Sequence, residues 1–600
     1  MATTAAPASR RALEARSMAE AFRITAEDFS DRVAVRTKDD EVSLTWGELR
    51  DRVDAFAGGL AKLGVRRGDT VALMLANRPE FHLADLAVMM LGAVPYSIYL
   101  TSAPEQIAYV VGDAASKVAI VEEAYLDVFQ AARDDLPGLE TLVVLEGERG
   151  EGTTAWDDVE GADPDFDVDS AWRAVGPEDL LTLIYTSGTT GPPKGVELVH
   201  ANLLAAVESI EQMIRFPDAA KVISWLPSAH IAERAAHHYL PIVYAITITC
   251  CDNPREVVSY LPEVKPTWFF AVPRIWEKLK AGLEAMLAGQ PDEQREPAQA
   301  ALEAAIRKVE LEQAGEPVPE ELAATVAEAD AQMFAGLRSM LGLDEVVTVN
   351  VGAAPTPREV LVFFHAIGIE LAELWGMSET CGSGCCNPPG RVRIGTVGPP
   401  APGVEIRLAD DGEVLMRSPV VMRGYRNQPE KTAETIDPDG WLHTGDIGEF
   451  DDHGYLRIVD RKKELIINAA GKNMSPANIE STLKGASPLI GQAAAIGDGR
   501  SYNTALIVLD ADFAPAWAAK NGLEGASLED LAGDERMRAA VQAGVDAANA
   551  RLARVEQIKK FTIIPGDWAP GGDELTPTMK LKRRPIAEKY AAEIEAMYRK

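Results

Sequence analysis

Apolar and polar positions recur with two different periods along this chain, and the periods mark its elements. Leu180-Leu181-Thr182-Leu183-Ile184-Tyr185 is an apolar run of strand length, which predicts a buried strand. Val196-Glu197-Leu198-Val199-His200 alternates and predicts a second strand. Earlier, Leu44 to Leu60 carries a helical pattern, opened by Thr45 and Glu48 in capping-box spacing. Gly64 and Gly68-Asp69 mark a turn before the strand Val71 to Leu75. Asn77-Arg78-Pro79 opens a helix that Gly92 to Pro95 ends, and a further helix and strand reach Val121. This alternation predicts an α/β layered domain.

Residues 146 to 179 are acidic, Gly-rich and without clear period, so they read as a surface connection. Leu203 to Ile214 is amphipathic, and Thr267 to Pro273 reads as a buried strand. Residues 274 to 340, rich in Ala, Glu, Leu and Gln, predict a helical insertion with a break near Pro317-Val318-Pro319. Strands follow at Val346 to Val351 and Ile369 to Leu374. Residues 391 to 450 hold short strands and Gly/Pro turns, as expected of a small β subdomain. At Asp460-Arg461-Lys462-Lys463-Glu464 the composition turns basic. The boundary is placed there, dividing a domain of residues 1 to 460 from one of 461 to 600.

Six hundred residues exceed one ordinary core, in keeping with two domains. A net charge of -33 argues against nucleic acid, which demands a basic face. It also requires that any anionic substrate be met by local donors. Five cysteines without paired spacing point to a reducing, cytoplasmic setting. Met1 to Arg16 has no apolar core and so predicts no secretory signal. The longest apolar stretches, Leu86 to Leu100 and Tyr239 to Cys251, are interrupted and short for a membrane span. Peripheral contact with a membrane surface stays open, as does monomer versus homodimer.

The loop between the strands 180–185 and 196–200 carries the chemistry. Thr186, Ser187, Gly188, Thr189, Thr190, Gly191 and Lys194 offer hydroxyls, unshielded amides and one cation, a set suited to an oligophosphate. It is not a Walker loop, because Lys194 lies between Pro193 and Gly195 and a strand, not a helix, follows. Two more loops end predicted strands: Gly352-Ala353-Ala354-Pro355 and Trp375-Gly376-Met377-Ser378-Glu379. Ligands bind at such strand ends in open α/β sheets. Trp375 is a candidate for packing on adenine and Asp446, read at the end of a tight Thr-Gly turn, for holding ribose hydroxyls. Thr186 and Glu379 are candidates for a magnesium ion, which needs few carboxylates plus substrate phosphates. Cys381, Cys385 and Cys386 lack metal-ligand spacing and read as small wall residues.

Five motifs in this order resemble the adenylate-forming superfamily of acyl-CoA synthetases, luciferases and adenylation domains. They are the phosphate loop at 185 to 195, Trp375 to Glu379, Thr444-Gly445-Asp446, Arg461, and Met579-Lys580-Leu581-Lys582-Arg583. The nearer likeness is to long-chain fatty-acid CoA ligases, through Ser224 to Arg234, the helical insertion, Asp460 to Ile466, and Gly471 to Glu480. Ala353 stands where that branch more often has a second Gly, which narrows the expected tunnel entrance.

The resemblance implies a two-domain α/β enzyme with a mobile C-terminal domain, using ATP, magnesium and coenzyme A to activate a fatty acid. It implies that Lys580 joins carboxylate and α-phosphate, that Arg461 holds ribose with Asp446, and that the C-terminal domain turns about Lys463. Gly471 and Lys472 would then approach the thioester site. His230 is a candidate for the mouth between acyl and thioester sites, weighed evenly against a hydrogen-bonded structural histidine, and Trp225 is a candidate for gating the acyl tunnel, with a core role as the stronger reading. Lys582, Arg583 and Arg584 are weighed between contact with CoA phosphates and a solvated patch. A carrier-protein thiol is the alternative acceptor. A non-catalytic binding protein would be free to lose Lys580, Glu379 or the loop, and all are present.

Overall fold

The computed structural model describes residues 10–147, 152–186, 192–469 and 472–599. Ser187, Gly188, Thr189, Thr190, Gly191 and Gly471 lie outside the described residues. A five-stranded, wholly parallel sheet forms one layer, in the order Val94–Ser97, Thr70–Met74, Val118–Glu122, Thr141–Leu145, Thr153–Ala155. A second sheet places Trp268–Ala271, Thr348–Val351 and Leu371–Trp375 side by side in parallel, with Cys385–Cys386 antiparallel at the edge. The 391 to 450 region is a four-stranded antiparallel sheet running from Glu405 to Arg461.

Local rules account for the helices. At Trp46–Lys62, Thr45 Oγ1 accepts from Glu48 N at 3.2 Å while Glu48 Oε2 accepts from Thr45 N at 2.8 Å, a complete capping box. Pro79 starts Pro79–Met90, where it sacrifices no hydrogen bond. The insertion is helical over Pro273–Ala288, Asp292–Ala314 and Glu320–Ala329, with its break at residues 315–319. None of the described helices is long and apolar enough to cross a membrane.

Three expectations need correction. The segment 146 to 179 is not merely a connection. Thr153–Ala155 extends the parallel sheet, and buried Trp156 stacks on Phe56 with ring centroids 4.0 Å apart. Its apolar residues are too few and too spaced to show a period. Thr444-Gly445-Asp446 is not a turn but part of the strand Leu442–Phe450, bonded on both sides, with Gly445 at φ +72° and a register shift after Ile447. And the phosphate-loop hairpin does not share a sheet with the other two loops. Leu180–Thr186 and Lys194–Val199 pair antiparallel and take Gly424–Tyr425 as third strand.

The buried apolar residues separate along the chain. The largest cluster ends at Leu456, and the next begins at Ile466 and stays within the C-terminal part. One buried polar network interrupts the first. Arg234 and Asp85, both fully buried, pair at 2.7 Å, and His238 Nε2 meets Asp85 Oδ1 at 2.9 Å. Arg234 also donates to Ser228 O and Ser97 Oγ, so it ties the segment before it to the parallel sheet. Breaking such a pair leaves an uncompensated buried charge, which fixes the segment 224 to 234 in place.

His200 gives the fold a dependence on pH. It is buried, and its Nδ1 accepts from Met18 N at 3.0 Å, which requires the neutral ring. Burial lowers its pKa to about 4. Between the ordinary value near 6.5 and 4, the unfolded chain takes up a proton that the folded chain refuses. Stability from this group is therefore complete above pH 6.5 and declines as pH falls. Between pH 7.5 and pH 5, urea unfolding of His200→Asn should lose about 2 kcal/mol less stability than the parent does. An equal loss in the variant would assign the pH dependence elsewhere.

Candidate active site

The two parallel-sheet loops and the hairpin meet where the small β sheet and the C-terminal part close over them. Gly376 is required by contact. A Cβ there would lie 2.2 Å from Gly382 O, so only glycine lets Trp375-Gly376-Met377 turn against that backbone. Trp375, at the end of Leu371–Trp375, donates from Nε1 to Asp446 Oδ2 at 2.8 Å, and Asp446 Oδ1 receives Arg461 Nε at 2.7 Å. Asp446 is almost wholly buried. Burial raises its pKa, and Arg461 opposes the rise.

Glu379 is buried and accepts from the Tyr425 hydroxyl at 2.7 Å through Oε1. Tyr425 in turn lies under Lys194, whose Nζ sits 4.0 Å from the ring centroid. Burial lowers the Lys194 pKa and Glu379 counteracts it. Thr186 stands opposite Lys194 at the loop end of the hairpin. Thus Thr186, Lys194, Tyr425 and Glu379 form one wall, and Trp375, Asp446 and Arg461 another.

Lys580 enters between them from the C-terminal part. Its side chain is exposed to the open cleft, yet protein crowds around it closely enough that loss of water is the largest influence on its charge. Burial lowers its pKa, Arg461 lowers it further, and Asp446, Glu379 and Glu464 raise it. His230 is in the same field. Its Nδ1 accepts from Ala232 N at 3.2 Å, and burial with the charge of Lys580 lowers its pKa to about 3. It is neutral at any ordinary pH and available as an acceptor or an apolar ring.

Other expected residues lie elsewhere. Trp225 is a core residue, stacked with Phe269 at 6.2 Å and donating to Phe270 O at 3.3 Å. Lys463 is exposed in the turn after Leu456–Arg461, and Lys472 is exposed in the turn before residue 473. Cys381, Cys385 and Cys386 are buried free thiols whose pKa values burial pushes up. Among the described residues, no group of three or more His, Cys, Asp or Glu is arranged to hold a metal ion. Arg583 is not a solvated cation. It makes two bonds to Glu480, at 2.6 and 2.9 Å, and one to Glu464 at 3.0 Å. Lys582 donates to Gly572 O at 2.8 Å, so of that cluster only Arg584 is left on an exposed helix face, where it pairs with Glu588.

One site feature, and one perturbed carboxyl outside the site, were missed. Tyr425 carries no sequence signal, since its role depends on pairing with Val196 across more than two hundred residues. Glu373, two positions before Trp375, is a carboxyl whose pKa burial raises to about 7. Only knowledge of what packs on that strand would reveal it.

The family description "AMP-binding enzyme" matches residues 22–426, and "AMP-binding enzyme C-terminal domain" matches 463–600. A Mycobacterium tuberculosis protein carrying the fatty-acid–CoA ligase name fadD11 is 54% identical over 436 residues, 72% of this chain and 76% of that one. The long-chain-fatty-acid–CoA ligase FadD15 of Mycobacterium bovis is 35% identical over 570 residues, 93% of this chain and 92% of its own. Among solved structures, the anthranilate CoA ligase AuaEII in complex with anthranoyl-AMP superposes with a TM-score of 0.72 at 20% identity. The match covers 97% of this chain and 98% of that one.

Ala353 supplies a stability test within the site. Its φ of +69° is a left-handed conformation that costs a residue with a Cβ about 1–2 kcal/mol. Ala353→Gly should therefore raise stability, by about 0.5–1 kcal/mol after the entropy of glycine is subtracted. Ala354→Gly, at an ordinary φ, should lower it by a similar amount. Chemical denaturation of both reads the contrast, and a loss in both would deny the strain at Ala353.

Proposed function

The chain belongs to the AMP-binding enzyme family and, within it, to the fatty-acid–CoA ligases; from that premise we propose that it activates a long-chain fatty acid with ATP and passes the acyl group to coenzyme A. The observation that carries this reading is the position of Lys580. Its electrostatic neighbours are Arg461, Asp446 and Glu379, which come from three separate motifs on the other side of the cleft. The long chain rests on the relative FadD15, which is named for that substrate class.

In the first half-reaction a carboxylate oxygen bonds to the α-phosphorus of ATP, and the bond to the bridging oxygen of pyrophosphate breaks. Two anions must meet, so the cost is electrostatic. Lys580 lies where it can bond both, and its lowered pKa means that their arrival strengthens its hold on the proton. Thr186 and Lys194, with the loop residues Ser187 to Gly191, take the β and γ phosphates that leave. Asp446 and Arg461 hold the ribose, while Trp375 and the Gly352-Ala353-Ala354-Pro355 backbone border the adenine, flanked by Gly376, Met377 and Ser378.

A magnesium ion fits this donor set. Glu379 keeps one oxygen free of Tyr425, which suits a metal that takes one or two carboxylates and completes its shell with water and phosphate. Glu379 and Thr186 would hold it, and it would neutralise phosphate charge.

In the second half-reaction the CoA sulfur bonds to the acyl carbon and AMP leaves. Lys580 has no task there. We assign the domain boundary to Asp460/Arg461 and the pivot to Lys463, whose exposed turn can change φ and ψ without breaking a core contact. Turning would withdraw Lys580 and bring the Gly471 and Lys472 loop to the cleft. Neutral His230 would border the path between acyl and thiol sites.

ATP–pyrophosphate exchange across acids from acetate to very long chains tests the reading. Exchange should be strongest with long chains, and exchange with none of them overturns the ligase assignment. Lys580→Ala should lower exchange by about 10²–10³-fold. It should leave CoA transfer from preformed acyl-adenylate nearly unchanged. Equal loss in both half-reactions contradicts the alternation of the two domains.

A further inference from the structure

The residue before Lys580 holds a conformation that its type rarely takes. Met579 has φ +64°, the left-handed region in which a Cβ crowds the following carbonyl. A glycine would adopt it freely, so the methionine is retained against steric strain. Such strain persists only where the surroundings over-determine the backbone.

The surroundings do so here. Thr576 N donates to Lys580 O at 2.8 Å, Met579 N donates to Thr576 O at 2.9 Å, and Lys580 N donates to Thr576 Oγ1 at 3.0 Å. Leu575 and Leu581 face each other across this turn as an isolated antiparallel bridge, and Leu575 is fully buried. The side chain of Met579 packs on the cluster that includes Leu506, Ile564, Trp568, Leu575 and Ile586. Beyond the turn, Arg583 is clamped by Glu464 and Glu480. Before it, Gly571 lies against Thr101 of the N-terminal part so closely that a Cβ would stand 2.6 Å from Thr101 Oγ1.

We propose that Met579 is a positioning residue for Lys580. Its side chain pins the turn to the C-terminal core, and the left-handed twist at its Cα then aims the next side chain away from that core into the cleft. The assignment rests on the reading of Lys580 as the adenylating lysine. It explains why a strained methionine occupies a place that glycine would fill without strain. Glycine would remove the strain and the pin together and leave the lysine free to sample other directions.

Four variants test this in parallel: Met579→Gly, Met579→Ala, Met579→Leu and Lys580→Ala. Met579→Gly exchanges lost packing for relieved strain, so its melting temperature should stay within a few degrees of the parent. Its kcat for ATP–pyrophosphate exchange should fall about tenfold or more, because small misplacement of a reacting group is costly. Its KM for ATP and its CoA transfer from preformed acyl-adenylate should be unchanged. Met579→Ala and Met579→Leu both keep the strained backbone, but only leucine keeps the pin. Leucine should hold exchange within about threefold of the parent while alanine falls with glycine. Parent-like exchange in both Met579→Gly and Met579→Ala overturns the proposal, provided Lys580→Ala is inactive. Parent-like exchange in Lys580→Ala overturns the underlying reading instead.

Discussion

The site depends on holding a lysine where other cations already stand. Lys580 reaches a cleft in which Arg461 disfavours its charge and burial disfavours it further. Two buried acids make the placement tolerable, and neither acid is left to itself. Asp446 is fixed by Trp375 and Arg461, and Glu379 by Tyr425. Each pairing aligns a carboxylate before any substrate arrives, so little reorganisation remains for the moment of reaction. Desolvation and Arg461 outweigh the acids, so the lysine's pKa is lowered and an added anion would stabilise its charge.

Such a balance needs a scaffold that does not drift. The cleft draws on three sheets: the hairpin sheet gives Thr186, Lys194 and Tyr425, the sheet of Leu371–Trp375 gives Trp375 and, just beyond it, Glu379, and the four-stranded antiparallel sheet gives Asp446 and Arg461; the backbone bond from Met422 N to Glu379 O at 2.8 Å joins the first two. His230 is carried by a segment whose next turn is anchored by the buried Arg234–Asp85 pair. A hydrophobic isostere there would pack as well, but it would not specify the same backbone path as a guanidinium that must satisfy Ser228 O, Ser97 and Asp85 together.

Features with a local physical cause were legible in the sequence, and features with a distant cause were not. The capping box at Thr45, the hairpin strands and the helical insertion follow from spacing within a few residues, and the structure has all of them. Thr444-Gly445-Asp446 has the composition of a turn, yet pairing on both edges makes it a strand with a bulge, because ladder bonds outweigh local preference. The basic run at 582 to 584 looks solvated in isolation, while Arg583 finds acids more than one hundred positions away. Tyr425 belongs to the same class. The motif residues that meet in the cleft were identifiable by resemblance, but their mutual bonds were not, because a motif records residue types and not partners.

Charge is distributed unevenly between the two parts, and this bears on how they can separate. Residues 1–460 hold 39 Lys and Arg against 74 Asp and Glu, whereas 461–600 hold 20 against 18. The nearly neutral C-terminal part thus brings its cations to a strongly acidic body. Ion pairs join the two parts: Arg274 with Asp510, Lys278 with Asp512, Arg551 with Glu359 and, at 3.9 Å, Lys484 with Glu277; Asp510 is buried, whereas Lys278, Asp512 and Arg551 are exposed. Exposed pairs contribute about 0–1 kcal/mol each and weaken with salt. The apolar clusters, by contrast, stop on either side of the boundary and do not merge across it. An interface with no shared apolar cluster among the described residues can open without exposing a core, whereas one sealed by apolar burial could not.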